Sequence, residues 1–264
     1  MKWAIGVSYC GAGLEGWQSQ PSGNTVQDHL QRALSEIGGE PVSLTAAGRT
    51  DAGVHASAQV AHFETRADRP ESAWVRGANS MLPDAIAVQW SVPVAEDFHA
   101  RYSAVSRTYR YVLYSHAVRP ALLAGRAGWF HLPLDLEKMR EAANCLIGEH
   151  DFSSFRSAEC QAKSPVRTMQ SVAIHVSGAY LFFDFTANAF LHHMVRNIVG
   201  CLVYVGKGKH SPAWIPELMA ARDRRRAAPT FAADGLYLFG VRYDSRWGLR
   251  SFPDMLPFHP DRGP

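Results

Sequence analysis

Ala46-Ala47-Gly48-Arg49-Thr50-Asp51-Ala52-Gly53-Val54-His55-Ala56 sets two glycines, an arginine and a carboxylate among small alanines. Gly48 and Gly53 allow backbone angles closed to other residues, and the small alanines permit close approach. The stretch therefore reads as a tight loop joining a short strand over residues 42–46 to one over 58–65. Arg49 and Asp51 lie two residues apart inside it. An ordinary Arg–Asp turn pair is one outcome of that spacing. The other is chemical, because loops held on a rigid scaffold are where chemistry concentrates. A carboxylate near a guanidinium keeps the charge that a nucleophile or general base needs.

Upstream, residues 2–9 read as a strand followed by a glycine-rich turn. Thr25 can cap a helix over 26–37, where Val26, Leu30, Ala33, Leu34 and Ile37 form one apolar stripe before Gly38-Gly39 ends it. Residues 71–82 read as a helix with Trp74, Ala78 and Met81 facing inward, and 85–94 as a strand. The second half opens near Arg101 with a tyrosine-rich strand over 106–115. A helix runs from Asp135 to 147 and is closed by Gly148, strands follow at 171–176 and 181–186, and a buried helix covers 191–205. Residues 236–243 form a closing strand, after which Pro253, Pro257, Pro260 and Pro264 make an extended or mobile tail. The pattern is α+β: two similar-sized mixed α/β halves, 1–100 and 101–245, around a central mixed or antiparallel sheet, with a proline-rich tail over 246–264.

With 264 residues, 47% hydrophobic and 19% charged, the chain can bury a sizeable core, which excludes wholesale disorder. No apolar run is long enough to span a bilayer, and the first residues lack a secretory signal. A cytoplasmic protein is expected. Cys10, Cys145, Cys160 and Cys201 form no Cys-x-x-Cys pair, which argues against a zinc knuckle and for reduced thiols. The net charge of +3 is too small to identify a partner. Lysine occurs only at 2, 138, 163, 207 and 209, so arginine carries most of the positive charge. Arginine forks onto phosphate and stacks on bases, although codon bias explains the preference as well.

Four further stretches need weighing. Gly11-Ala12-Gly13-Leu14-Glu15-Gly16 fits a dinucleotide fingerprint, but Pro21 and Gly23 prevent the helix that fingerprint requires, so a plain turn is the better reading. In the 106–115 strand, Arg107, Tyr109 and Tyr111 point one way, and Thr108 and Arg110 the other. That face is either a solvated sheet surface or a platform that stacks a base. On the 191–205 helix, His192, Arg196 and Gly200 share one face, and Arg196 borders an apolar stripe: it needs a carboxylate partner if buried, or else is partly exposed with only its stem covered. The adjacent His192 and His193 do not share a face and make poor joint metal ligands. Arg222-Asp223-Arg224-Arg225-Arg226 is a solvated helix end or, less ordinarily, a phosphate-contact patch.

Taken in order, these stretches resemble the tRNA pseudouridine synthase A family. Residues 48–56 look like its signature loop around the catalytic aspartate. Asp97-Phe98-His99-Ala100-Arg101 with Arg107-Thr108-Tyr109-Arg110-Tyr111 resembles a second motif, and His150-Asp151-Phe152-Ser153-Ser154-Phe155-Arg156 a third. Residues 190–200 resemble the helix that supplies an arginine partner, and Gly235-Leu236-Tyr237-Leu238 a segment bordering the pocket. The likeness runs from about Tyr9 to Tyr243. Two departures stand out: Cys10 replaces the usual aspartate before glycine, and Asp84 comes one residue early in Leu82-Pro83-Asp84-Ala85-Ile86.

The resemblance implies the pseudouridine synthase fold with its active-site cleft between the halves. It implies uridine isomerisation in the tRNA anticodon stem-loop, at positions 38, 39 and 40, by a homodimer that needs neither metal nor organic cofactor. Asp51 would be the nucleophile and Arg196 its partner. Tyr109 would stack on the flipped uracil, Arg49 would help extrude the base, and Leu236 would pack against the pocket. A non-catalytic RNA-binding or chaperone module is the rival reading, and a nicotinamide oxidoreductase comes third.

Overall fold

A computed structural model describes the protein over residues 1–253. The extended tail expected at Pro257, Pro260 and Pro264 lies outside the described residues. The chain forms two compact units. Residues 1–106 and 237–253 make the first, and residues 107–236 the second.

The first unit carries β1 (Lys2–Tyr9), α1 (Val26–Gly38), β2 (Thr45–Ala46), β3 (His55–Glu64) and β4 (Ile86–Val94). The strand β5 (Ala104–Ser115) leaves it. The second unit adds β6 (Gly128–Phe130), α2 (Leu136–Asn144), β7 (Gly148–Asp151), β8 (Val166–Ser177) and β9 (Tyr180–Ala187). Helices α3 (Met194–Gly206) and α4 (Trp214–Ala221) follow, and β10 (Leu236–Tyr243) returns the chain to the first unit.

In the first unit the strand order is β4-β1-β3-β10, with β2 also on β3. β1 pairs antiparallel with both β3 and β4, whereas β10 runs parallel to β3 through Tyr237–His55 and Leu238–Ala56. In the second unit the order is β5-β9-β8-β7, antiparallel throughout, with β6 parallel to β5. Both units mix helices with mixed sheets, which is the expected α+β class.

Helix α1 begins and ends where the sequence indicates. The Thr25 side chain accepts a hydrogen bond from the Asp28 amide, and Gly39 closes the helix in a left-handed conformation. Val26, Leu30, Ala33 and Leu34 are buried, as the stripe requires. β3 is longer than its alternating pattern suggests. Every residue but the last is buried, so both faces of this strand are covered.

One face packs Trp74 against Trp3 and Phe63, with ring centroids 6.1 and 5.1 Å away. The other face gathers Ala4, Val60, Trp90, Val92, Phe98 and Trp247, with Leu249 and Phe252 packed alongside. The chain after Tyr243 is therefore no loose end as far as Phe252: its aromatic residues close this core.

Three helix expectations are corrected. Residues Ala73–Gly77 form a π-helical turn, which adds a residue per turn and takes Met81 off the inward face. Met81 is 48% exposed. α2 stops at Asn144, and Gly148 opens β7 rather than closing the helix. α3 starts at Met194, three residues later than its periodicity suggests, because His193 takes a left-handed conformation with φ 61° and breaks the run. Among the described residues, no helix is long and apolar enough to cross a membrane.

Candidate active site

Asp51 sits midway along the connection from β2 to β3, two strands paired antiparallel through Thr45–His62 and Ala46–Ala61. The composition predicts a tight loop there, and the structure has one. The Ala47 amide donates to the Val60 carbonyl at 2.8 Å, and the Val54 amide to the Asp51 carbonyl at 3.1 Å. Gly53 takes φ 78°, as its position demands. Asp51 is half-buried and Arg49, on the same loop, is exposed.

What holds this loop is the glycine-rich turn that follows β1. The Trp17 amide donates to the Thr50 carbonyl at 3.0 Å, and the Gly53 amide to the Leu14 carbonyl at 3.4 Å. Gly16 has φ 88°, and a Cβ there would lie 2.7 Å from the Thr50 carbonyl oxygen. A Cβ on Gly11 would run into the Val54 carbonyl. The two segments meet backbone to backbone, and the first of them is the glycine-rich turn that the sequence indicates. It braces the Asp51 loop.

A buried polar cluster ties the loop down from within. The Tyr9 and Thr50 hydroxyls are 2.8 Å apart, and the Gln59 amide donates to the Gly48 carbonyl at 2.6 Å and to the Tyr9 hydroxyl at 3.4 Å. Burial pushes the Tyr9 phenol up to about 12, so it stays neutral at any working pH. His55, at the start of β3, accepts from the Gly11 amide through Nδ1 at 3.0 Å and stacks on Tyr237, centroids 4.6 Å apart. None of Tyr9, Thr50, Gln59 or His55 stood out in the sequence as a site residue. Their spacing becomes meaningful only once β1 and β3 pair.

In the second unit, Tyr109 lies on β5 opposite Phe185 of β9. Its ring meets the Phe190 ring edge-on, centroids 4.9 Å apart. The expectation of a solvated sheet surface on this strand fails. Arg107, Tyr109, Arg110 and Tyr111 are all buried, on both faces of the strand. Arg110 makes a forked pair with Asp184, its cross-strand partner, at 2.7 Å for each bond. Arg107 donates to the Asn188 carbonyl at 2.9 Å.

Arg196 stands in the first turn of α3, half-buried, and its Nε donates to the Phe231 carbonyl at 2.9 Å. Its cation is felt at Tyr111. Burial, reinforced by Asp234, drives that phenol far above its ordinary value, and Arg196 opposes the shift. His192 lies outside the helix, so it shares no helical face with Arg196 and Gly200. Nor are the two histidines kept on separate faces: their ring centroids lie 4.0 Å apart. Leu236 is buried at the start of β10. The first unit thus brings Asp51 and Arg49 onto one loop, and the second holds Tyr109, Arg196 and Leu236.

The family model described as tRNA pseudouridine synthase matches residues 6–103 and 142–244. The chain belongs to the tRNA pseudouridine synthase family. It is 61% identical over 249 residues to the tRNA pseudouridine synthase A of Aromatoleum aromaticum, covering 94% of each chain. The Dechloromonas aromatica protein of that name is 59% identical, over 94% of this chain and 95% of the relative. That of Chromobacterium violaceum is 59% identical, over 95% and 96%. Among solved structures, a chain from "Crystal Structure of a Cbf5-Nop10-Gar1 Complex" aligns over 76% of this chain and 45% of its own, at 11% identity and TM-score 0.36.

Within this tRNA pseudouridine synthase, several motif residues turn out to build the scaffold. Asp151 accepts from the Ser153 amide at 2.8 Å and pairs with Arg222 at 3.3 Å. Phe152 and Phe155 are fully buried. Arg224, from the arginine run, donates to Asn197 on α3 at 2.9 Å and to the Ala228 carbonyl at 2.8 Å. It staples the segment after α4 onto α3 and does not reach out as a phosphate contact.

Proposed function

We propose that this protein isomerises uridine to pseudouridine in the anticodon stem-loop of tRNA, at positions 38, 39 and 40, with Asp51 as the attacking carboxylate. Family membership at up to 61% identity supports uridine isomerisation in tRNA. The observation that supports Asp51 is its loop: short, fixed at both ends in paired strands, and braced by the glycine turn and the Tyr9–Thr50–Gln59 cluster. A carboxylate held this firmly meets the geometric demand on a group that must reach one atom of an extruded nucleoside.

The reaction breaks the N1–C1′ bond, turns the uracil, forms C5–C1′, and gives up the C5 proton while N1 takes one up. It is redox-neutral and loses no group, so the proposal calls for no cofactor. Asp51 either bonds to the nucleoside or stabilises positive charge at C1′, as a carboxylate does in glycosidic chemistry. Arg196 holds the charge and orientation of Asp51. Tyr109 stacks on the flipped uracil and helps move the C5 proton. Arg49 aids extrusion and fills the space left, and Leu236 packs against the base. The working form is a cytoplasmic homodimer with each tRNA touching both subunits.

Asp51→Asn, nearly isosteric, tests the central role. Pseudouridine formation on unmodified tRNA is expected to fall at least about a thousandfold. Retained activity sinks the assignment. Arg196→Met is expected to lower kcat more than tRNA affinity, and equal losses of the two would refute the pairing.

A further inference from the structure

At the far end of α3 the chain folds sharply back. The amides of Lys207 and Lys209 donate to the Val203 and Tyr204 carbonyls at 2.9 and 3.0 Å. This turn carries both lysine side chains onto one ring: their ammonium nitrogens lie 4.1 and 4.3 Å from the Tyr204 centroid. Lys207 also stands 6.0 Å from the Phe130 ring. The next residues extend the platform. His210 and Trp214 stack at 3.8 Å, and both rings lie within 17° of parallel to Tyr204.

All six of these side chains are half-buried or exposed, so the assembly reaches solvent. Among the described residues, neither ammonium pairs with a carboxylate. Burial and the neighbouring lysine charges keep His210 below its ordinary value, with Glu217 opposing them, so the stack presents a neutral imidazole.

A bland explanation exists: cations near a helix C-terminus favour its dipole. That effect is weak at a surface. It accounts neither for two like charges crowded on one ring nor for three rings held nearly parallel. An anionic polymer that carries planar bases satisfies both features, because ammonium groups take phosphate and aromatic faces take bases or ribose.

We propose that this end of α3 is a second RNA-contact surface, on which Lys207 and Lys209 hold the phosphodiester backbone of the tRNA beside the Tyr204–His210–Trp214 stack. The surface rests on the tRNA reading given above but takes no part in the chemistry. Lys207 lies eleven residues beyond Arg196, roughly 16 Å along the helix, so it meets nucleotides other than the one isomerised.

The test uses Lys207→Gln/Lys209→Gln and the salt dependence of tRNA binding. Affinity is expected to fall roughly three- to tenfold, and the slope of log K against log salt to lessen by about 1.5, with kcat at saturating tRNA unchanged. An unchanged slope in a folded variant, or a fall in kcat alone, overturns the proposal. A second measurement needs no variant. In amine acetylation of the wild-type protein, bound tRNA should protect Lys207 and Lys209 but not Lys138 or Lys163, and equal labelling with and without tRNA overturns it. Failure of the isomerase reading would look different: tRNA would bind and protect these lysines, yet no pseudouridine would form.

Discussion

The Tyr9 phenol lies 2.8 Å from the Thr50 hydroxyl, one residue before Asp51. This contact reaches from the end of β1 into the loop that carries the proposed nucleophile, and it is fully buried. Tyr9→Phe removes the hydroxyl and leaves Thr50 and the Gln59 amide each short of a partner. Stability should drop by about 1–2 kcal/mol. The larger effect should be on kcat, lowered roughly ten- to a hundredfold because the loop loses its anchor while substrate contacts remain. Steady-state kinetics beside a denaturation curve will check it. A kcat that moves no more than stability predicts would reduce Tyr9 to an ordinary core residue.

Gly13 and Gly16 allow a cleaner test of the bracing turn. Both take positive φ, 81° and 88°, so alanine strains either by about 1 kcal/mol. Around Gly13 nothing lies within 4 Å, whereas a Cβ on Gly16 meets the Thr50 carbonyl at 2.7 Å. Gly13→Ala should therefore cost stability and spare kcat. Gly16→Ala should push the Asp51 loop aside and lower kcat at least about a hundredfold. The two kcat values, measured side by side, decide it, and equal ones would mean the turn does not set the loop.

The two cases mark how far the sequence could be read. The Asp51 loop was legible because Gly48 and Gly53 interrupt two strand-like runs within a few residues of each other. α1 was legible because Thr25 and Gly39 act locally on their own helix. The brace was not, since the value of Gly11 and Gly16 depends on backbone some forty residues away. The same holds for β10, whose parallel pairing of Tyr237 with His55 has no local signature. The late start of α3 was hidden for another reason. Leu191 is buried and its carbonyl accepts from the Met194 amide at 3.0 Å, a turn that mimics helical periodicity without a helix.

Arg110 illustrates a motif residue whose work is structural. It forks onto Asp184 across the β5–β9 pair, and both side chains are largely shielded, at 6% and 19% exposure. Arg110→Met strands the carboxylate and should destabilise the protein by roughly 3 kcal/mol. Arg110→Met/Asp184→Leu should recover most of that loss, and KM for tRNA should stay unchanged in the double variant. A rise in KM that persists in the double variant would show that Arg110 contacts RNA after all.

His62 should make the first unit acid-sensitive. Burial, followed by the neighbouring His99, lowers it from 6.5 to about 4, and its Nδ1 accepts from the Ala100 amide at 3.1 Å. The charged groups around it are Lys2, which opposes protonation, and Glu64, which favours it. The folded value is depressed, so between pH 6.5 and 4 the unfolded chain binds a proton that the folded chain refuses. This contribution is complete above pH 6.5, fades as the pH falls, and is exhausted below pH 4. It should amount to about 1–2 kcal/mol once partial solvent access is allowed for. His62→Asn offers a side-chain acceptor to Ala100 without a titrating ring. Denaturation curves between pH 7 and pH 4 should therefore converge for the two proteins as the pH drops, and curves that stay parallel would clear His62 of the effect.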